Sequence, residues 1–329
     1  MNFRLFTSDK HQIKLGKDLI YNERNISIET NSLIKKWVNN DGETFFIIGK
    51  IHFKREDKDI SKTIIDYTLI EKPENTKYFE GRYIVLKVYK NNEIKIWNDH
   101  FSRLDLYWLY SKRENLLCVT SSINLMPDTI DLGELDQISL SQMLTIYGSR
   151  PLKKQTLYDK INRLGVNESL SFSNYNLSIK KTEFSPHSVF SKNDFSKLDD
   201  YSDRLIESVR LRASDTQNIV FLSSGWDSTS ILAILVHLFG PSKIDCIIGK
   251  MHYSERSGII NQFELDRAKK MAEYFKVRLH EVDLDYTIDI NDTINELKEI
   301  FQGHGFGNVT GFNHYLLTKG AKNRCLAIK

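Results

Sequence analysis

The feature that most constrains the fold is an alternation of short apolar runs and helical patterns in the last third of the chain. The apolar runs are Asn218–Ser223, Lys243–Lys250 and Arg278–Asp285, and the helical patterns between them are Ser228–Phe239 and Asn261–Phe275. The first helical pattern is apolar nearly all round, which predicts a buried helix. Strands that alternate with helices favour a parallel sheet, because a parallel pair needs a crossover connection. The sequence therefore predicts a doubly wound α/β domain in this region.

Neighbouring segments extend the pattern. Leu198–Ala213 and Thr293–Phe301 have apolar residues at helical spacing. Arg324–Lys329, with the sequence RCLAIK, is predicted as a fourth strand. Asn261 and Glu264 resemble a capping box at the start of their helix.

The first half of the chain is rich in short runs of β-branched and aromatic residues. These runs are Thr44–Phe53, Arg82–Tyr89, Glu93–Trp97, Leu104–Tyr110 and Asn115–Ser122. Apolar residues often occur at both odd and even positions of these runs. Some strands should therefore be buried on both faces, as in stacked sheets. Asn91-Asn92 predicts a hairpin turn because asparagine tolerates positive φ. A short helix is predicted over Leu140–Gly148.

A polar stretch separates the two patterns. Residues 184–197 include Pro186 and several serines, which predicts an interdomain linker. The length of 329 residues agrees with two domains of about 100–200 residues each. The predicted organisation is an α+β domain of stacked β-sheets over residues 1–183, followed by an α/β domain over residues 198–329.

Composition limits the classes of partner. The formal net charge of +3 is not the footprint of nucleic-acid or membrane binding. The sequence has no apolar run long enough for a signal peptide or a membrane span, which predicts a soluble, cytoplasmic protein. Cys118, Cys246 and Cys325 lie in apolar stretches without metal-binding spacing, so they are predicted as buried strand cysteines.

A polar turn, FLSSGWDSTS over Phe221–Ser230, lies where a predicted strand ends and a predicted helix begins. Ligands of open parallel sheets bind at the carboxyl ends of the strands, and helix N-termini bind phosphate. Gly225 lets the backbone approach a ligand, and the hydroxyl groups add donors. Asp227 fits beside phosphates if Mg²⁺ bridges the two. The alternative is a capped helix with a serine-rich turn; a Walker A loop is excluded because its G-K-[ST] end is absent.

The segment LSSGWDSTSI resembles the S-G-G-x-D-S loop of N-type ATP pyrophosphatases, specifically the asparagine synthetase group. CIIGK and the helix after it resemble the second strand and next helix of that group. Gln155–Lys180 and Glu80–Ser122 resemble parts of its class II glutamine amidotransferase domain. The loop motif is fairly specific and the remaining likeness is diffuse, over roughly residues 75 to 329.

The resemblance implies an ATP site and a substrate contact. The residues implied to contact the pyrophosphate of ATP are Ser223, Ser224, Gly225 and Ser228. Asp227 would bind Mg²⁺, and Leu222 and Ile248 match positions that meet adenine. His304, in a glycine-rich loop predicted over Phe301–Phe312, would contact the acyl substrate or phosphate; an ordinary loop histidine is the alternative.

The sequence departs from the family pattern at several positions. Asn2 stands near the place of the N-terminal cysteine that hydrolyses glutamine in the family, so glutaminase activity is not expected. Ser224 replaces a glycine, which would strain the loop if the backbone there required positive φ, and Trp226 replaces a leucine. The acidic G-x-x-D-E motif that follows the last strand in the family is not part of this sequence.

The implied activity is an AMP-forming, ATP-dependent amide ligase. A small-molecule or peptide carboxylate attacks ATP to give an acyl-adenylate, and an amine then displaces AMP, forming an amide, a lactam or a peptide ring. One alternative left open is a non-catalytic nucleotide-binding or partner-binding homologue. The missing motif would come from a homodimer or partner chain, or from a longer chain of which this sequence is a fragment. A tRNA-modifying pyrophosphatase is disfavoured because no cysteine pair or basic RNA-binding region is present.

Overall fold

The computed structural model describes residues 2–7, 18–23, 25–53, 67–147, 152–183, 198–252, 259, 261–285, 290–304 and 309–325. The chain divides into two compact units. The first unit comprises Met1–Pro186 and Glu299–Gly307, and the second comprises His187–Lys298 and Asn308–Lys329.

The secondary structure of the described residues begins with strands. They are β1 (Phe3–Thr7), β2 (Leu19–Glu23), β3 (Ile26–Thr30), β4 (Ile34–Val38), β5 (Thr44–Phe53), β6 (Phe79–Val88), β7 (Ile94–Asn98), β8 (Tyr107–Ser111), β9 (Leu116–Thr120), β10 (Asn162–Arg163), β11 (Glu168–Ser173) and β12 (Asn176–Lys181). Helix α1 (Gln137–Gln142) lies between β9 and β10 and continues into a π-helical turn, Met143–Tyr147.

The later elements alternate between helices and strands. They are α2 (Leu198–Arg210), β13 (Asn218–Phe221), α3 (Trp226–Phe239), β14 (Ile244–His252), α4 (Gln262–Phe275), β15 (Arg278–Asp285), α5 (Ile290–His304) and α6 (Val309–Cys325).

The strands of the first unit form two six-stranded sheets whose described pairs are all antiparallel. Their orders are β10-β8-β9-β1-β3-β2 and β12-β11-β7-β6-β5-β4. Phe3 and Val119 of the first sheet share one core with Phe46 and Ile84 of the second, so the two sheets stack. Each sheet also carries a buried cluster outside this shared core. Burial on both faces explains why apolar residues occur at odd and even positions of the strands, and it confirms the prediction of stacked sheets.

The hairpin turn predicted at Asn91-Asn92 is present in the first unit. Asn92 has a φ of 67° and its N–H donates to the carbonyl of Tyr89 at 3.1 Å. The Tyr89 N–H in turn donates to Glu93, which closes the hairpin between β6 and β7. The predicted linker, residues 184–197, lies outside the described residues.

The second unit contains a parallel sheet of three described strands in the order β13-β14-β15. Leu232 of α3 and Leu265 of α4 pack with Ile248 on one face of this sheet. Ala321 of α6 packs with Ile247 on the opposite face. The described residues therefore show a mixed α/β chain whose parallel sheet has helices on both faces.

Helix α6 packs close to the sheet because Gly249 of β14 and Gly320 of α6 have no side chains where the two elements meet. A methyl group added at Gly249 would meet Leu284 at 2.5 Å and Leu317 at 3.3 Å, and one added at Gly320 would meet Val282 at 2.8 Å. Leu317 and Gly320 therefore both lie over the part of the sheet where Gly249 pairs with Val282.

Three sequence predictions about helices need correction. Arg324 and Cys325 were expected in a strand but end α6, and residues 326–329 lie outside the described residues. The loop expected over Phe301–Phe312 is helical at both ends, because the helical apolar spacing of Ile294, Leu297 and Phe301 carries α5 on to His304 and residues from 309 onward belong to α6. Helix α3 is buried only along the stripe that faces the sheet, and Ile231 is 41% exposed.

No helix formed by the described residues is long and apolar enough to cross a membrane.

Candidate nucleotide site

The turn between β13 and α3 begins directly beyond the carboxyl edge of the parallel sheet. Phe221 is paired with Ile247, and the Leu222 N–H donates to the Ile247 carbonyl at 2.8 Å. Residues 223–225 then leave the sheet, and α3 starts at Trp226. The chain thus places Ser223–Ser228 at the sheet edge where ligands of open parallel sheets bind.

Hydrogen bonds within the turn fix its shape. The Ser223 N–H donates to the Ser228 hydroxyl oxygen at 3.0 Å, and the two hydroxyl oxygens lie 2.9 Å apart. The Thr229 hydroxyl donates to the Gly225 carbonyl at 2.9 Å. The hydroxyl groups therefore hold the backbone in one conformation, which is what a preorganised ligand site requires.

The first turn of α3 leaves backbone donors free. Gly225 occupies the N-cap position with φ −85° and ψ 161°, and it has no side chain to cap the helix. Among the described residues, no group accepts a hydrogen bond from the N–H of Trp226, Asp227 or Ser228. Free N–H groups and the positive end of the helix dipole together attract an anion.

Ser224 fits the turn without the strain considered from the sequence. The residue is not among those with positive φ, and neither is Gly225. A methyl group added at Gly225 would lie 3.3 Å from the Ser223 hydroxyl oxygen, so glycine keeps the approach to the free N–H groups open. The replacement of a family glycine by Ser224 therefore carries no backbone penalty in this conformation.

Asp227 and Trp226 are both exposed on the first turn of α3, with Trp226 87% exposed. No group of three or more His, Cys, Asp or Glu side chains within the described part of the chain is arranged to hold a metal ion. The single carboxylate of Asp227 fits Mg²⁺ held beside phosphate, because Mg²⁺ is commonly bound by one or two carboxylates together with phosphate oxygens and water. A single carboxylate at this position is a suitable donor set.

Leu222 and Ile248 have buried side chains, 2% and 5% exposed, in the core beneath α3 and α4. Because these side chains pack in the core between the sheet and the helices, any contact with an adenine base would come from the backbone near them. His304 is the last residue of α5, and its side chain lies outside the described residues. Asn2 is exposed, and its N–H donates to the Asn31 side chain at 3.0 Å.

A second group of polar side chains lies at the same edge of the sheet and was not identified from the sequence. Lys250 and His252 are near the end of β14, and Asp283 on β15 lies opposite Lys250. The Lys250 Nζ is 3.8 Å and the His252 Nε2 3.4 Å from the same carboxylate oxygen of Asp283. The sequence signal that could have identified this group is the charged residue that comes directly after the apolar run CIIG.

Asn261 holds this edge in place, and the capping box expected at Asn261 and Glu264 is not formed. The Asn261 side chain makes no cap hydrogen bond. Instead its oxygen accepts from the Met251 N–H at 3.0 Å, and its amide donates to the Gly249 carbonyl at 2.8 Å. The amide pairs with the strand instead of the helix end because the two backbone groups of β14 would otherwise be buried without a hydrogen-bond partner.

The described cysteines take no part in the site. Cys118 in β9 and Cys246 in β14 are free and buried, as predicted. Burial raises the pKa of the Cys118 thiol above its usual range and raises that of Cys246 to about 12. Both thiols therefore stay protonated and unreactive near neutral pH.

The turn with free N–H groups lies at the carboxyl edge of a parallel sheet, which is where ligands bind in open α/β sheets. Residues 200–328 match the family model described as asparagine synthase. This part of the chain is therefore similar to a family of ATP-dependent ligases, and the match includes the whole Ser223–Ser228 turn.

Comparison with solved structures gives a distant likeness. The glutamine-dependent NAD⁺ synthetase from Acinetobacter baumannii, solved in complex with ADP, is 18% identical with a TM-score of 0.29. The alignment covers 47% of this chain and 28% of that one, so this chain spans less than a third of its length. A search of curated proteins returned no match.

Proposed function

We propose that this chain binds ATP at Ser223–Ser228 and takes part in an AMP-forming amide ligase reaction. The observation that carries the proposal is the turn itself. Three free N–H groups, two paired serine hydroxyls and one carboxylate meet at the carboxyl edge of a parallel sheet. The asparagine synthase match over residues 200–328 supports nucleotide binding at this position rather than a simple serine-rich cap.

The residues of the turn have separate tasks in this proposal. The N–H groups of Trp226, Asp227 and Ser228 would bind the β- and γ-phosphate oxygens. They would stabilise the negative charge that develops when the bond between the α-phosphorus and the bridging oxygen breaks. Ser223 and Ser224 would add hydroxyl donors at the rim. Asp227 would hold Mg²⁺, which when bound neutralises phosphate charge and orients the pyrophosphate.

The carboxylate to be activated comes from a small molecule or a peptide in this proposal. One of its oxygens forms a bond to the α-phosphorus while pyrophosphate leaves with the electron pair of the broken bond. An amine then attacks the acyl carbon, AMP leaves, and the amine loses a proton. The amine would come from solution or from the substrate itself, since Asn2 offers no nucleophile for hydrolysing glutamine.

Binding calorimetry with a matched pair of variants tests the site. Asp227→Ala should weaken Mg²⁺–ATP binding by about tenfold or more, because a charged partner in such a site contributes about 1.5–3 kcal/mol. Asp215→Ala is the control, since Asp215 is an exposed carboxylate just before β13, at the opposite edge of the sheet. Equal affinities for the parent and Asp227→Ala would remove Asp227 from the site.

The alternative function is nucleotide binding without catalysis, which the exposed, non-nucleophilic Asn2 favours. Exchange of labelled pyrophosphate into ATP across a panel of carboxylates separates the two. Carboxylate-dependent exchange supports the ligase, whereas ATP binding without exchange for any carboxylate supports the alternative.

A further inference from the structure

Strand β14 extends well past its neighbour β13. The last residue of β13, Phe221, pairs with Ile247, while β14 stays paired with β15 as far as His252. Five residues of β14 thus project beyond the end of β13, a distance of about 16 Å at ~3.3 Å per residue. The turn that starts at Ser223 lies beside this overhang, because the chain leaves the sheet at the level of Ile248.

The overhang is held firmly although, among the described strands, none pairs with it on the β13 side; His252 at its end forms an isolated antiparallel bridge with Ile259. The Ile247 carbonyl faces β13, since it accepts from the Leu222 N–H. Alternate residues of a strand direct their backbone groups to the same side, so Gly249 and Met251 face that side too. The Asn261 amide, 8% exposed, bonds to both of them. This side chain therefore occupies the place of a continued β13.

The side chains of the overhang face the helix that follows the turn. Ile248 packs in the core beneath α3 and α4, and side chains alternate along a strand, so Lys250 and His252 lie on that same face. Both are about one-third exposed and face the shared Asp283 carboxylate, which is 59% exposed. An ammonium 3.8 Å from one exposed carboxylate oxygen is weakly held and available to a stronger anion.

The turn itself supplies no cation. Phe221–Ser230 contains no lysine or arginine, and Asp227 adds a negative charge. ATP carries about four negative charges, which backbone N–H groups and one Mg²⁺ only partly balance. A cation from a neighbouring element would complete the balance, and Lys250 lies on the adjoining strand, on the face from which α3 starts.

We propose that Lys250 binds phosphate oxygens of the nucleotide, exchanging its resting partner Asp283 for the triphosphate. This inference rests on the proposed function, because it assigns a further residue to the same ATP site. The ammonium donates to the phosphate oxygens across the turn from the N–H groups of α3. Lys250 would then take the part that a loop lysine takes in other phosphate-binding turns.

The test compares Mg²⁺–ATP and adenosine as ligands of the whole chain by calorimetry. Lys250→Ala should weaken Mg²⁺–ATP binding by about tenfold and leave adenosine binding within twofold, since adenosine has no phosphate. Lys250→Arg should restore most of the ATP affinity. Lys243→Ala is the control, because Lys243 is exposed at the opposite end of the same strand.

The outcomes separate this inference from the proposed function. If the parent chain does not bind Mg²⁺–ATP, the proposed function fails and Lys250 fails with it. If the parent binds and Lys250→Ala binds equally well, only the assignment of Lys250 is overturned. An equal loss of ATP and adenosine would show that Lys250 supports the fold of the site rather than contacting phosphate, which also overturns the inference.

Discussion

Asp99 shows how the first unit uses a buried carboxylate to fix a loop. The residue is 1% exposed, and its two oxygens accept from the N–H groups of Phe101 at 3.2 Å and Arg103 at 2.9 Å. Burial raises the pKa of the Asp99 carboxyl, and the backbone donors together with the Arg103 guanidinium offset only part of that effect. The carboxylate is thus kept for its hydrogen bonds despite the cost of its charge.

This arrangement predicts a pH dependence of stability. A raised pKa means that folded Asp99 keeps its proton at pH values where the unfolded chain has already lost it. The contribution of Asp99 to the free energy of unfolding therefore falls as the pH rises from the unfolded to the folded pKa. An NMR titration should give a pKa above that of a free aspartate, and Asp99→Asn should remove this part of the pH dependence in denaturant unfolding. A pKa at or below the free value would contradict the account.

At the residue scale, the sequence predicts one part of the candidate site and not another. Ser223–Ser228 could be proposed because a polar turn between an apolar strand and a helix is a local pattern; its role in binding stays a prediction. Lys250 could not, because its position beside the turn depends on how far β14 extends past β13. Asn261 was misinterpreted for a related reason: its bonds to Gly249 and Met251 are tertiary and override a local cap.

At the scale of elements, prediction succeeded where the hydrophobic period was unambiguous. Strand β5 has the predicted bounds, and the helix predicted to start at Asn261 begins one residue later. The region from 301 to 325 was less predictable because Gly303, Gly305 and Gly307 indicate a loop. Helices α5 and α6 extend into that region, and α6 is stabilised by packing of Leu317 and Ala321 against the sheet rather than by its own propensity.

Two buried threonines of the first unit should respond in opposite ways when each is replaced by valine and the free energy of unfolding is measured. Thr120, at the end of β9, is fully buried, and its hydroxyl has no hydrogen-bond partner among the described residues. Thr156 is 2% exposed and donates to the carbonyls of Ile161 at 2.8 Å and Tyr158 at 3.0 Å. Removing an unpaired hydroxyl removes a desolvation penalty, whereas removing a paired one leaves its partners unsatisfied.

The substitution to valine should therefore separate the two sites. Thr120→Val should raise the free energy of unfolding by about 1 kcal/mol, and Thr156→Val should lower it by about 1–3 kcal/mol. Urea unfolding followed by circular dichroism measures both. A loss of stability in Thr120→Val as large as that in Thr156→Val would show that the Thr120 hydroxyl is paired after all.

At the scale of the whole molecule, the functional proposal concerns the second unit. The asparagine synthase match and the free N–H groups of α3 both fall there. The first unit has two stacked antiparallel sheets, and its relation to amidotransferase domains remains a prediction from the sequence. The likeness to an ATP-dependent ligase family therefore supports the proposal that ATP binds at this turn.

Hydrogen–deuterium exchange with and without Mg²⁺–ATP tests most directly whether the turn binds phosphate. We expect saturating Mg²⁺–ATP to slow the exchange of the Trp226, Asp227 and Ser228 amides. Adenosine alone should not slow them, since the phosphates are what the amides bind. Amides of the exposed turn at Ser214–Thr216, before β13, serve as the internal control. Unchanged exchange at Trp226–Ser228 under conditions where calorimetry shows bound ATP would show that these amides do not bind phosphate and would place the nucleotide elsewhere.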